Sequence, residues 1–152
     1  MQLAVLEDDE AVIIERLSDP AALPLSSQVG GRLPLHCSGA GRVLLSHGGP
    51  ELADRVLASE LTAYTPRTTT DKAALRRELA ECRRTGTAVV RGELTEGADS
   101  YAARILNGEG AVVAALSVIV RSGSVRDHAV LPALVTTGLS ISRRLGWRTA
   151  AA

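Results

Sequence analysis

Apolar residues in this chain come in blocks of one periodicity, and the order of those blocks constrains the fold more than any single motif. MQLAVLE and EAVIIERL are two aliphatic, β-branched runs separated by Asp8 and Asp9, the pattern of adjacent antiparallel strands joined by a tight acidic turn. TAVVRGEL, SYAARIL and AVVAALSVIV read as three more strands. NGEG, between the last two, is a hairpin turn because Asn and Gly tolerate positive φ. Helical spacing fills the middle of the chain and closes it. An order of strand, strand, three helices, three strands and a final helix does not fit regular βαβ alternation. It predicts an α+β fold, an antiparallel sheet with helices packed against it.

Local signals place the helices. Ser38 is an N-cap for a helix whose apolar positions are Ala40, Val43 and Leu44, extending to His47, and Gly48-Gly49-Pro50 stops it. Pro50 starts a second helix through ELADRVLAS, because its missing amide would have no partner in a first turn. Thr70 or Asp71 caps a third, with Leu75, Leu79 and Cys82 as its buried stripe. A last helix spans Val125 to Leu145, with Arg143 and Arg144 favoured at its negative end and Gly146 as its cap. DPAALPLSSQVGG, rich in Pro, Ser and Gly, is an irregular loop leading into a short extended piece.

Composition narrows the functions open to such a domain. At 152 residues the chain suits one domain and buries roughly 70% of its unfolded surface without disulfides. It has no phenylalanine, and Tyr64, Tyr101 and Trp147 are too few and scattered for an aromatic cage or a base-stacking platform. Seventeen basic and seventeen acidic residues leave a formal charge of zero, without the single-sign field that draws proteins onto nucleic acid or anionic membranes. Apolar runs stop short of the roughly 20 residues that span a bilayer, and Cys37 and Cys82 form no CxxC pair. With no basic segment and apolar signal core at the start, a cytoplasmic location is expected.

Chemistry concentrates in GGRLPLHCSGAGRVLLS, Gly30 to Ser46. His36 and Cys37 are neighbours on an extended piece and point to opposite faces, so they make a poor nucleophile and base. Cys37 is expected as a small buried hydrophobe and His36 as a half-exposed polar residue. His36, His47 and His128 lack the spacing of helical metal ligands, so neither a catalytic nor a metal site is assigned, and no cofactor. SGAG before a helix matches neither a phosphate-binding P-loop nor GxGxxG. Two readings of it stay open: close packing of helix on sheet, or free amides that attract an anionic or carbonyl group. Ser100 and Ser117 lie in strand-like runs and project into one cavity if their strands pair, or else face solvent. Glu93 and Glu96 read as surface charges.

LPLHCSGAGRVLLS, followed by LTAYTPRTTTDKAALRRELAECRRTG, resembles the C-terminal effector-binding domain of IclR-type transcriptional regulators. The resemblance runs from the LAVLEDDEAVIIERL hairpin to the closing ISRRLG. It implies a GAF-like α+β domain enclosing a pocket for a small metabolite, often a carboxylate or aromatic acid. It also implies association into a homodimer or homotetramer, with exposed aliphatics of the first hairpin as a contact face. In that family a separate winged helix-turn-helix reads DNA; residues 1–152 are expected to be the effector-binding domain alone, without direct DNA binding.

Carried onto this sequence, the resemblance makes the amides of Gly39 and Ala40, beside Ser38, the carboxylate site, with Leu25 as apolar lining and Ser100 and Ser117 as hydroxyl donors. Val90 stands where small-acid binders carry an acidic residue, and Ile119 replaces a second serine. The expected effector therefore has an apolar body and one acidic or carbonyl end. Arg104 is either a carboxylate partner or an outward-facing residue. The rival functions are a ligand-independent interaction module and, further off, a small enzyme.

Overall fold

A computed structural model describes residues 1–20, 23 and 27–149. In chain order the elements are β1 (Gln2–Glu7), β2 (Glu10–Arg16), β3 (Arg32–Pro34), α1 (Gly39–His47), α2 (Pro50–Ala58), α3 (Lys72–Thr85), β4 (Thr87–Arg91), β5 (Ala98–Leu106), β6 (Val112–Arg121) and α4 (Asp127–Arg144). The six strands form one sheet in the order β3-β2-β1-β6-β5-β4, with every pairing antiparallel. This is the α+β architecture expected from the block order. The first and last strand groups meet at the β1–β6 pair, where Gln2 lies opposite Ser117 and Ala4 opposite Ala115.

Side chains alternate across the sheet, so each strand feeds two cores. Ala4, Ala11, Ala88, Ala102 and Ala115 share one face with Val43, Leu44 and Leu45 of α1, and with apolar residues of α2 and α3. Tyr101, Ala103, Ile105, Ala114 and Leu116 share the other with Leu134 of α4. The local signals fall where the sequence puts them. Asp8 turns the first hairpin at φ 53°, and Ser38 caps α1. Asp71 caps α3, whose buried residues are Leu75, Leu79 and Cys82. The run TAVVRGEL pairs only as far as Arg91; Gly92, at φ 63°, turns the chain into an irregular connection that reaches β5 at Ala98.

The β5–β6 register shifts between Ile105 and Leu106. The amide of Leu106 instead donates to the Oγ of Ser142 on α4 at 2.8 Å. That hydroxyl donates in turn to the carbonyl of Gly138 at 2.7 Å, and Ser142 is fully buried. Gly138 lies close against the β5 backbone, for a Cβ there would sit 3.0 Å from the carbonyl oxygen of Arg104. A buried amide stripped of its acceptor costs about 1–3 kcal/mol. Ser142→Ala is therefore expected to lower unfolding stability by that amount, measured by chemical denaturation.

Candidate functional site

The face that carries α1 opens at one end into a cavity of about 660 Å³. Its floor is sheet: Ser100 and Ala98 of β5, Ser117 and Ile119 of β6, Val90 of β4 and Gln2 of β1. Gly39 and Ala40 at the start of α1, with Ser38 and Cys37, form one wall. Tyr64, Leu94 and Thr95, from two loops, form another. Ser27, Gln28 and the β3 region close the remaining side.

The register brings the two predicted hydroxyls together. Ser100 pairs with Ile119, and Ser117 with Ala102, so the serines are diagonal neighbours on adjacent strands, about 7–8 Å apart. Neither hydroxyl has a hydrogen-bond partner among the described residues. Ser38 differs, because its Oγ donates to the carbonyl of Pro34 at 2.7 Å and accepts from the amide of Gly41 at 3.1 Å. It shapes the wall and has no donor left for a ligand. The amides of Gly39 and Ala40, one residue earlier in the turn, have no acceptor among the described residues. They stand at the positive end of the helix dipole.

The close-packing reading of SGAG holds. A Cβ on Gly39 would lie 2.4 Å from the Oγ of Ser100, and one on Gly41 would lie 2.6 Å from the carbonyl oxygen of Pro34. The glycines let α1 press onto the sheet and β3, and that closeness sets the free amides directly above a strand hydroxyl. Charge plays little part in the lining. Its charged members are Arg32 and Glu10, at the rim, and they pair at 3.1 Å while Arg32 also reaches Glu7 at 3.3 Å. A carboxylate here would be held by amides and hydroxyls, not by a cation.

The expected positions of Arg104, His36 and Glu93 are corrected. Arg104 does not reach the cavity. Ser100, Ala102 and Arg104 follow one another on the same sheet face, so Arg104 lies about 13 Å along the strand from Ser100. There its Nη1 approaches His47 Nε2 at 3.5 Å, at the far end of α1. It is neither a carboxylate partner nor simply outward-facing. Burial, followed by the charges of Arg104 and Arg83, holds the His47 pKa below its ordinary value. His36 is buried, not half-exposed, because its Nε2 donates to the carbonyl of Thr62 at 2.9 Å. Leu25 lies outside the described residues. Val90 and Ile119 line the cavity as apolar residues. Glu96 is exposed.

Glu93 is no surface charge. Arg42, 3% exposed, points from α1 away from the cavity, donating through Nε to the carbonyl of His36 at 2.8 Å. Its guanidinium pairs with Glu93 at 2.7 Å and with Glu78 of α3. The Glu93 carboxylate also accepts from the amide of Thr69 at 2.9 Å. Thr68 Oγ1 donates to the Glu93 carbonyl, and Thr65 Oγ1 to that of Gly92. The two loops bearing Tyr64, Leu94 and Thr95 are thus tied to each other and, through Arg42, to α1. One sign of this was present in the sequence: an arginine within GAGRVLL, on a helix apolar on every side, requires a buried acid.

The remaining chemistry is quiet. Cys37 is fully buried, and burial first, then the nearby Glu93 charge, pushes its thiol up to about 12. Among the described residues no group of three His, Cys, Asp or Glu is placed to hold a metal ion, and no helix is long and apolar enough to cross a membrane.

Two outcomes follow. Since the thiolate is the reacting species, folded protein at pH 8 should show alkylation of Cys37 by iodoacetamide roughly a thousandfold slower than a free cysteine, measured by mass spectrometry. Arg42→Met, which leaves Glu93 buried and unpaired, should cost about 3–5 kcal/mol in denaturation; the double variant Arg42→Met/Glu93→Leu should recover part of the loss.

Comparison with known proteins agrees with this geometry. Residues 1–143 match the family described as bacterial transcriptional regulator IclR, C-terminal. The HTH-type transcriptional regulator Rv1719 of Mycobacterium tuberculosis is 38% identical over 118 residues, covering 78% of this chain and 45% of that protein. The HTH-type transcriptional regulator XynR of Escherichia coli is 33% identical over 149 residues, covering 95% of this chain and 59% of that protein. An IclR homolog from Microbacterium hydrocarbonoxydans, crystallised in complex with 4-hydroxybenzoate, superimposes with a TM-score of 0.90 at 39% identity, covering 95% of this chain and 59% of that one. The chain thus spans about half the length of the relatives it matches. Those relatives are named as regulators of transcription. With its α+β fold and a family match over nearly its whole length, the chain belongs to the IclR family of bacterial transcriptional regulators, as their C-terminal domain.

Proposed function

We propose that the cavity is an effector site for a small organic acid with an apolar body, an aromatic acid fitting best, and that occupancy alters the regulator's conformation or assembly. The observation that carries this reading is the pair of amides at Gly39 and Ala40, lacking acceptors among the described residues, above Ser100 and facing a cavity whose charged rim is already paired. Amides at a helix start bind anions without a cation. Val90, Leu94, Ala98 and Ile119 supply the apolar surface. The volume lies within the roughly 300–1,000 Å³ common for small-molecule pockets. A relative's complex with 4-hydroxybenzoate supports the same ligand class.

Within this reading, effector binding shifts populations by no more than its differential affinity for the two states. The domain associates with its own copies as a homodimer or homotetramer, and Ile14 and Leu17, 45% and 64% exposed, offer apolar contact area on the first hairpin. Operator contacts belong to a separate DNA-reading segment, in keeping with the balanced charge of this chain, and the working location is the cytoplasm. A ligand-independent interaction module would not need a cavity of this size or free amides beside it.

Thermal unfolding in the presence of benzoate, 4-hydroxybenzoate and short aliphatic acids tests the reading. A specific acid at one hundred times its dissociation constant is expected to add about 2.7 kcal/mol. Gly39→Ala, whose new methyl would fall on the Ser100 hydroxyl, should reduce that gain sharply. An unshifted transition with every acid would favour the interaction module.

A further inference from the structure

Resting on the effector reading, we infer that Gln2, with Ser27 and Ser117, forms a second polar anchor in the cavity, one that takes a hydrogen-bond donor from the effector's end remote from its carboxylate. Gln2 opens β1 and is 3% exposed. It lies directly across from Ser117 and lines the same cavity. Its Nε2 donates to Ser27 Oγ at 2.7 Å, which fixes the side chain. Its Oε1 is buried and has no hydrogen-bond partner among the described residues. A buried acceptor left in that state is costly, and Ser117, 1% exposed, has no partner for its hydroxyl among the described residues either.

Position decides what the anchor would bind. Ser100, beneath the α1 amides, is on β5, and Gln2 is two strands away on β1, about 10 Å across the sheet. The offset between Ser100 and Ala102 adds about 7 Å along it. The two positions are therefore about 12 Å apart at the backbone, room for one substituted ring with a hydrogen bond at each end. At the α1 end the ligand meets two amide donors and the Ser100 hydroxyl, which can donate as well as accept. At the β1 end the group that lacks a partner is the buried Gln2 carbonyl oxygen, which accepts and would repel a carboxylate, beside the Ser117 hydroxyl, which does either. An acid is therefore held one way round, carboxylate at α1, with a hydroxyl or N–H group at β1. The effector class narrows to organic acids carrying a donor on the far side of an apolar ring or chain.

The test uses the 152-residue chain and simple probes. Gln2 is one of two glutamines, so its side-chain amide resonance is assigned by its loss in Gln2→Leu. Phenol, which has a donor and no carboxylate, is expected to move that resonance, while anisole, which can only accept, leaves it in place. In binding assays 4-hydroxybenzoate is expected to exceed benzoate by roughly tenfold or more, and in Gln2→Leu the two acids should bind alike. Equal effects of phenol and anisole, or a hydroxyl preference that survives Gln2→Leu, would overturn the anchor. If benzoate and 4-hydroxybenzoate fail to bind the wild-type chain while phenol still moves Gln2, the acid reading falls and the anchor stands. Should Gln2→Leu not fold, the phenol and anisole titrations of the wild-type chain decide alone, with the Gln2 amide then assigned by sequential experiments.

Discussion

The close seating of α1 on the sheet is the contact from which the other features follow. Every residue from Gly39 to Ser46 is buried, an unusual demand for a nine-residue helix. It is met because the strands beneath present Ala4, Ala88, Ala102 and Ala115 instead of large side chains. Gly39 and Gly41 remove the last obstacle at the helix start. A helix buried so completely must satisfy both ends internally. Its far end does so through Arg83, which donates to the carbonyl of Ser46 at 3.0 Å, and through His47. At the near end Ser38 serves one amide, and two are left facing the cavity.

The same burial explains Arg42. An arginine on a helix with no solvent-facing side must bring its counter-charges with it, and Glu93 and Glu78 are those charges. A buried ion pair is weak support for stability in itself. Here its geometric consequence matters more. Glu93 sits in the irregular connection between β4 and β5, and fixing its carboxylate fixes Leu94 and Thr95, while the threonines bonded to it fix Tyr64. The outer cavity wall is held from behind by an interaction that never touches the cavity.

Most of what was legible in the sequence was local. Caps at Ser38 and Asp71, Pro50 at a helix start and the turn at Asp8 are set by neighbours within a few residues, and the structure places each as expected. For Ser100 and Ser117 the sequence left a shared face or solvent open, and the register gives the shared face. What could not be read depended on partners distant in the chain. Glu93 looks exposed between two glycines until Arg42, 51 residues earlier, is seen to claim it. His36 looks half-exposed until the carbonyl of Thr62 arrives over it. Arg104 shares a face with Ser100, as alternation requires, but only the length and placement of α1 reveal that the helix separates them. Nothing local marks Gln2 at the start of the first hairpin, because what sets it apart is a buried oxygen without a hydrogen-bond partner among the described residues.

Strand β5 joins the two halves of the molecule. Its alternate residues face opposite cores: Ser100 and Ala102 toward the cavity and α1, Tyr101 and Ala103 toward α4. On the α4 side the attachment is polar and directional. Arg91 of β4 grips both oxygens of Asp127 at 2.6 and 2.7 Å, and the Tyr101 hydroxyl donates to the same carboxylate at 2.9 Å. These bonds hold the start of α4, and Ser142 holds its end. Tightly packed interiors transmit small displacements instead of absorbing them. A ligand that draws Gly39 toward or away from Ser100 must therefore do so against the bonds that seat α4. The proposed effector, held at the α1 end of the cavity, would sit where the helix and the shared strand are in direct contact.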